Sequence, residues 1–222
     1  MDWFHEFLRL FSDLDVVLAD FVRDYGIWTY AILFAIVFAE TGLVVTPFLP
    51  GDSLLFAAGA LCAHGDLNVW LLAALLFVAA VLGDTVNYHI GKYIGPPAFS
   101  GRFRFLKQDH LVRTQAFFEK YGPKAIVLAR FVPIVRTFAP FVAGVGTMHY
   151  GKFLFYNVFG AFIWIAIFVG AGYAFGNLPF VKGNFSKIIL AIIIISVLPI
   201  VFEWWKARRE ARAAAMESKQ TP

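Results

Sequence analysis

Four stretches of this 222-residue chain, at about 27–45, 67–94, 153–175 and 188–205, are apolar over the ~20 residues that a bilayer core demands of a helix. A backbone crossing hydrocarbon must satisfy its own N–H and C=O groups, so stretches of this kind can span only as helices. Composition agrees: with 60% hydrophobic and 15% charged residues and a mean hydropathy of +0.71, the chain carries more apolar surface than a soluble domain of its size can cover. The expectation is an all-α polytopic membrane protein with about four full spans. The formal charge of +4 is small, and in a membrane protein the placement of Lys and Arg sets orientation, so nucleic acid is not an expected partner. Cys62 is the single cysteine, which excludes an intramolecular disulfide, and the five histidines lack paired ligand spacing, so neither a metal nor another cofactor is expected.

Residues 1–24 place Trp3, Phe4, Phe7, Leu8, Phe11, Leu14, Leu18 and Phe21 at helical spacing, with Asp2, Glu6, Arg9, Asp13 and Asp20 between them. This pattern predicts an N-terminal amphipathic helix, either lying in the membrane interface or packed on the rest of the protein. It lacks the basic start and small-residue cleavage site of a signal peptide. The membrane domain is expected at 25–205, followed by a basic tail at 206–222.

Two further apolar stretches are interrupted. Residues 47–64 contain Pro47, Pro50, Gly51, Asp52 and Gly59, and residues 125–148 contain Arg130, Pro133, Arg136, Pro140, Gly144 and Gly146. Proline removes a backbone donor and breaks a helix interior, so both are predicted as re-entrant hairpins. Charge placement distinguishes this from a full span at 125–148. Residues 92–124 carry seven basic and two acidic side chains and should be cytoplasmic; a re-entrant 125–148 then returns the tail, with five basic residues, to the same side. Both termini are accordingly expected in the cytoplasm.

The two halves also repeat. Phe48-Leu49-Pro50, then Gly59, then a span ending in Gly91 and Gly95 parallels Phe131-Val132-Pro133, then Gly144, then a span ending in Gly172 and Gly176. With one full span between the hairpins, the halves have opposite orientation, an inverted repeat of hairpin plus transmembrane helix of the kind transporters use.

Four charged residues lie within or beside the broken stretches: Glu40, Asp52, Arg130 and Arg136. A charge at membrane depth costs at least about 2.5–3.5 kcal/mol, so each needs a partner or a wet cavity. The acids and arginines can simply pair and hold the hairpins together. Alternatively the planar donor forks of Arg130 and Arg136 can bind a substrate phosphate, with Glu40 and Asp52 coupling the step to protons. Asp84 and Asn87, three residues apart on one helix face, are secondary candidates, with a solvated cap as the ordinary reading of an Asp near a span end.

The segments Phe38-Ala39-Glu40-Thr41-Gly42 and Phe48-Leu49-Pro50-Gly51-Asp52-Ser53, with residues 129–144 from Ala129 and Arg130 through Arg136 to Gly144, resemble the DedA family of bacterial inner-membrane proteins. The resemblance covers roughly residues 25–205. It implies a multi-pass protein of the bacterial inner membrane, related to eukaryotic membrane proteins that share a domain and scramble phospholipids. It further implies a link to recycling undecaprenyl phosphate or flipping phospholipids, with dependence on the proton motive force. The family's important acidic residues match Glu40 and Asp52 and its important arginines match Arg130 and Arg136.

The resulting expectation is a lipid translocase whose partners are a membrane lipid with an anionic or phosphate-bearing headgroup and protons, with a homo-oligomer left open. A proton-coupled cation or drug antiporter and a non-transporting structural protein are the alternatives. An enzyme is not expected, because the chain offers neither a nucleophile beside a base nor an Asp-rich metal motif, and no catalytic residue is assigned.

Overall fold

The computed structural model describes residues 25–43, 51–65, 67–95, 97, 108–146 and 148–182. Among these the fold is helical. Helix α1 is Ile27–Gly42, α2 is Gly51–His64, α3 is Val69–Ile94 and α4 is Gln108–Tyr121. A 3-10 turn at Gly122–Lys124 leads into α5, Ala125–Ala129, which a break at 130–132 separates from α6, Pro133–Val145. Helix α7 is Tyr150–Gly176 and α8 is Pro179–Lys182. The amphipathic segment 1–24, the apolar stretch 188–205 and the basic tail 206–222 lie outside the described residues.

Helices α3 and α7 have 26 and 27 residues, about 40 Å each at 1.5 Å per residue, and are long and apolar enough to cross a membrane. Only 33% of the most apolar window of each is buried. The core helix of a soluble protein would be covered on all sides, whereas here Leu71, Val78, Leu82 and Val86 of α3 and Phe155, Phe159, Phe162 and Ile167 of α7 face outward. Hydrocarbon is the solvent that suits such faces. Asn68 starts α3 by accepting N–H donations from Trp70 and Leu71, both at 3.0 Å, and Gly95, at φ 65°, ends it.

Three expectations are corrected. Helix α1 has 16 residues, about 24 Å, and stops at Gly42 with Leu43 extended, three residues before the expected boundary. Gly59 does not break the stretch 47–64 where it is described: residues 51–64 form one helix, because the glycine serves a close helix contact rather than a turn. In the stretch 125–148 the break falls at 130–132, before Pro133, and the helix then runs through Pro140 and Gly144. Val132 takes the extended conformation that a following proline favours, and Pro133 sits in the first turn, where no N–H is missed.

Contacts fix the directions. Helix α1 runs parallel to α3, since the Tyr30 hydroxyl accepts from the Asn68 N–H at 2.7 Å near one end and Gly42 abuts Gly83 near the other. Helices α3 and α7 are antiparallel, with Asn157 against Val81 and Phe153 stacked on Tyr88 at 4.4 Å. Helix α2 lies along α7 in the same direction, from Asp52 beside Trp164 to Ala63 beside Gly176, while α6 lies along α3, from Thr137 beside Asn87 to Gly144 beside Lys92.

Each short helix thus packs on the long helix of the other half, and both crossings are built alike. A Cβ on Gly59 would strike the Val169 carbonyl and one on Gly172 the Phe56 carbonyl; one on Gly144 would strike the Tyr88 carbonyl and one on Gly91 the Phe141 carbonyl. In all four cases the struck oxygen lies three residues before the partner glycine. Absent side chains let the backbones approach closely, the small-residue packing that drives helix association in lipid. Leu33, Val37, Leu55, Leu72, Leu76, Trp164 and Val169 fill the core between α1, α2, α3 and α7, and α4 closes the far end by burying Leu111 against Phe138 and Phe141.

Candidate functional site

The crossings bring polar side chains to the middle of the bundle. Helix α1 delivers Glu40 on its buried stripe Thr29, Leu33, Val37 and Glu40, a 3.6-residue repeat. Asp52 comes from the first turn of α2, Asp84 and Asn87 from the buried face of α3, Arg130 from the break before α6, and Arg136 from the first turn of α6.

Arg136 forks onto two carboxylates from different helices, with Nη1 on Asp52 Oδ1 at 2.6 Å and Nη2 on Glu40 Oε1 at 2.5 Å. Arg130 makes a separate group, its Nη2 donating to Asp84 Oδ2 and to Asn157 Oδ1, the latter at 2.6 Å. The sequence expectation of Glu40 and Asp52 facing Arg130 and Arg136 therefore resolves unevenly: both acids serve Arg136, and Arg130 takes Asp84. Asp84 is 4% exposed and ion-paired, not a solvated cap. Asn87 is fully buried and donates to the carbonyls of Thr41, at 3.1 Å, and Thr137, at 2.9 Å. It thereby satisfies a carbonyl left open at the C-terminus of α1 and ties that helix to α6.

Two residues escaped the sequence reading. Asn157 bridges the long helices, accepting from Arg130 and donating to the Val81 carbonyl at 3.1 Å. Trp164 donates its indole N–H to Asp52 Oδ1 at 2.8 Å and lies 5.5 Å from the Arg136 guanidinium carbon and 5.6 Å from that of Arg130. Both carried a signal: an Asn inside an apolar span, and a Trp near mid-span instead of at the headgroup level where such residues gather.

The two ion-pair groups differ in access. Arg130 and Asp84 are sealed, and Arg130 Nε and Nη1 find no protein acceptor among the described residues. Asp52 has 36% of its side chain exposed, and through it the Arg136 group meets the surroundings. Gly51 is placed so that a Cβ there would overlap the Glu40 carboxylate, which brings the N-terminus of α2 against that acid. Among the described residues, no group of three or more His, Cys, Asp or Glu side chains is arranged to hold a metal ion.

A helical membrane protein with charges paired between two oppositely directed helix pairs is the class that fold and site define, and residues 49–174 match the model of the VTT domain. The chain is 51% identical over 218 residues to protein DedA of Escherichia coli K12, covering 97% of this chain and all of that one. It is 47% identical over 182 residues to the uncharacterized membrane protein Rv0364 of Mycobacterium tuberculosis H37Rv, covering 79% of this chain and 80% of that one. It is 32% identical over 196 residues to the inner membrane protein YghB of E. coli K12, covering 88% and 85%. The chain belongs to the DedA family. No solved structure matches it.

Proposed function

We propose that this protein is a non-enzymatic lipid translocase of the bacterial inner membrane, passing a phosphate-bearing headgroup such as that of undecaprenyl phosphate or a phospholipid past Arg136, with protons exchanged at Glu40 and Asp52. The observation that carries this reading is the fork of Arg136 on two carboxylates, one of them partly exposed. A guanidinium held this way has the donor geometry for a phosphate, and protonating either acid releases part of that fork to an incoming anion. Proton uptake and phosphate binding are then linked through one side chain. Arg130, saturated on one nitrogen by Asp84 and Asn157, serves as the fixed positive charge beside it.

The architecture supports the same reading. Helices α2 and α6, with 14 and 13 residues, reach about 20 Å and are too short to cross a hydrocarbon core of about 30 Å, as re-entrant elements of an inverted repeat must be. They run in opposite directions and bring Asp52 and Arg136 together from their N-terminal turns. The basic residues of 92–124 and of the tail favour a cytoplasmic location for both.

One feature favours a second reading. Glu40, Asp52 and Asp84 set three carboxylates against two guanidiniums, leaving one negative charge when all are ionised, a balance that suits a cation or drug exchanged for a proton. Headgroup accessibility in proteoliposomes decides between them. Labelled undecaprenyl phosphate or phospholipid should cross in the presence of the native protein, respond to a pH gradient, and stop crossing with Arg136→Ala or Glu40→Gln. Absence of any lipid movement by folded protein, with gradient-driven cation uptake instead, would establish the antiporter.

A further inference from the structure

Trp164 is the point at which the two ion-pair groups meet. It is fully buried, near the middle of α7, and packs edge-on against Phe168 with ring centroids 6.3 Å apart. Its N–H and the Nη1 of Arg136 share one acceptor, Asp52 Oδ1. Its ring lies almost equally far from the guanidinium carbons of Arg136 and Arg130, at 5.5 and 5.6 Å, within the range over which an aromatic face attracts a cation. Among the described residues, no hydrogen bond or ion pair directly links the Arg136 group to the Arg130 group.

We propose that Trp164 is a positioning residue that joins the two groups into one responsive unit: its indole N–H holds Asp52, its ring holds both arginines, and a change of charge at the exposed acid is passed to the sealed pair. The inference rests on the functional reading above only for its consequence in transport. Physically, the attraction of the ring for two cations is strongest in a desolvated site, and the indole N–H fixes the ring relative to Asp52, so a change at that acid alters the position both guanidiniums share. A tryptophan that merely filled space would need neither the N–H nor the ring electrons.

Two measurements test this. In detergent, thermal midpoints of Arg130→Lys, Asp52→Asn and the double variant are compared in the native chain and in Trp164→Leu. The expected result is shifts that fail to add when Trp164 is present and add when it is replaced. Additivity in both backgrounds, or an equal departure from it in both, overturns the proposal. In proteoliposomes, Trp164→Phe, which keeps a ring and loses the N–H, should retain part of the headgroup movement with its pH profile displaced along the pH axis. Trp164→Leu should lose about tenfold or more, from two lost cation contacts. A Trp164→Phe profile that only falls in amplitude, with the variant folded and no displacement along the pH axis, also overturns the proposal. Native protein that moves no lipid would sink the translocase reading and leave the thermal cycle to decide the role of Trp164.

Discussion

The Arg136 group and the Arg130 group use the same chemistry in different surroundings. Arg130 and Asp84 are shut inside, with Asn157 from α7 completing the pair, whereas Arg136 holds two acids and reaches the outside through Asp52, a third of whose side chain is exposed. A sealed pair cannot change charge without a large penalty, because removing one partner strands the other in a medium that cannot solvate it. A pair with an exposed member can exchange that member for a proton or a ligand. One group is thus closed and the other open, although the helices around both cross at glycines of the same pattern.

The sharpest way to break this comparison is to remove one member of each group. Arg130→Ala should cost about 3–5 kcal/mol by stranding Asp84, against about 1 kcal/mol or less for Asp52→Asn, which leaves Arg136 paired with Glu40. Thermal or denaturant unfolding in detergent measures both, and equal costs would erase the distinction between sealed and open. Next come the crossings. Gly91→Ala and Gly172→Ala each push a Cβ into a backbone carbonyl, of Phe141 and Phe56 respectively, and should each cost about 1–3 kcal/mol by the same assay. A large difference between them would show that the halves are not mechanically equivalent.

On activity, Arg136→Lys should slow headgroup movement about tenfold, a loss of about 1.4 kcal/mol, because an ammonium cannot present two parallel donors to a phosphate. Near-native movement in that variant would mean that charge balance suffices. Asn87→Ala should cost about 1 kcal/mol, since it removes the donor shared by the Thr41 and Thr137 carbonyls. Those carbonyls belong to the helices carrying Glu40 and Arg136, so the same variant should lower headgroup movement while leaving the Arg130 pair intact. A loss of stability with unchanged movement would detach Asn87 from the open group.

Much of the architecture was legible in the chain. Hydropathy located α3 within two residues at its start and α7 within three, because an uninterrupted apolar face leaves a helix as the only way to satisfy the backbone in lipid. The repeated glycines announced two related halves, and intramembrane cost singled out Glu40, Asp52, Arg130 and Arg136. What the spacing could not supply was the use of each glycine. Gly59 looks like a helix breaker in sequence and proves to be a contact surface, since the compensating neighbour, Val169, lies over a hundred residues away.

The sequence alone therefore determined that α3 and α7 are long apolar helices, that Glu40, Arg130 and Arg136 among them need partners, and to which family the residues point, because these follow from composition, period and local solvation. Only the tertiary structure decided the pairing: that Glu40 and Asp52 share Arg136, that Asp84, inside α3, holds Arg130, and that Asn157 joins the Arg130 group and Trp164 the Arg136 group. A buried charge declares in sequence that it needs a partner, but an ion pair is a matter of a few ångströms, and those distances are set by how closely two pairs of helices approach at their glycines.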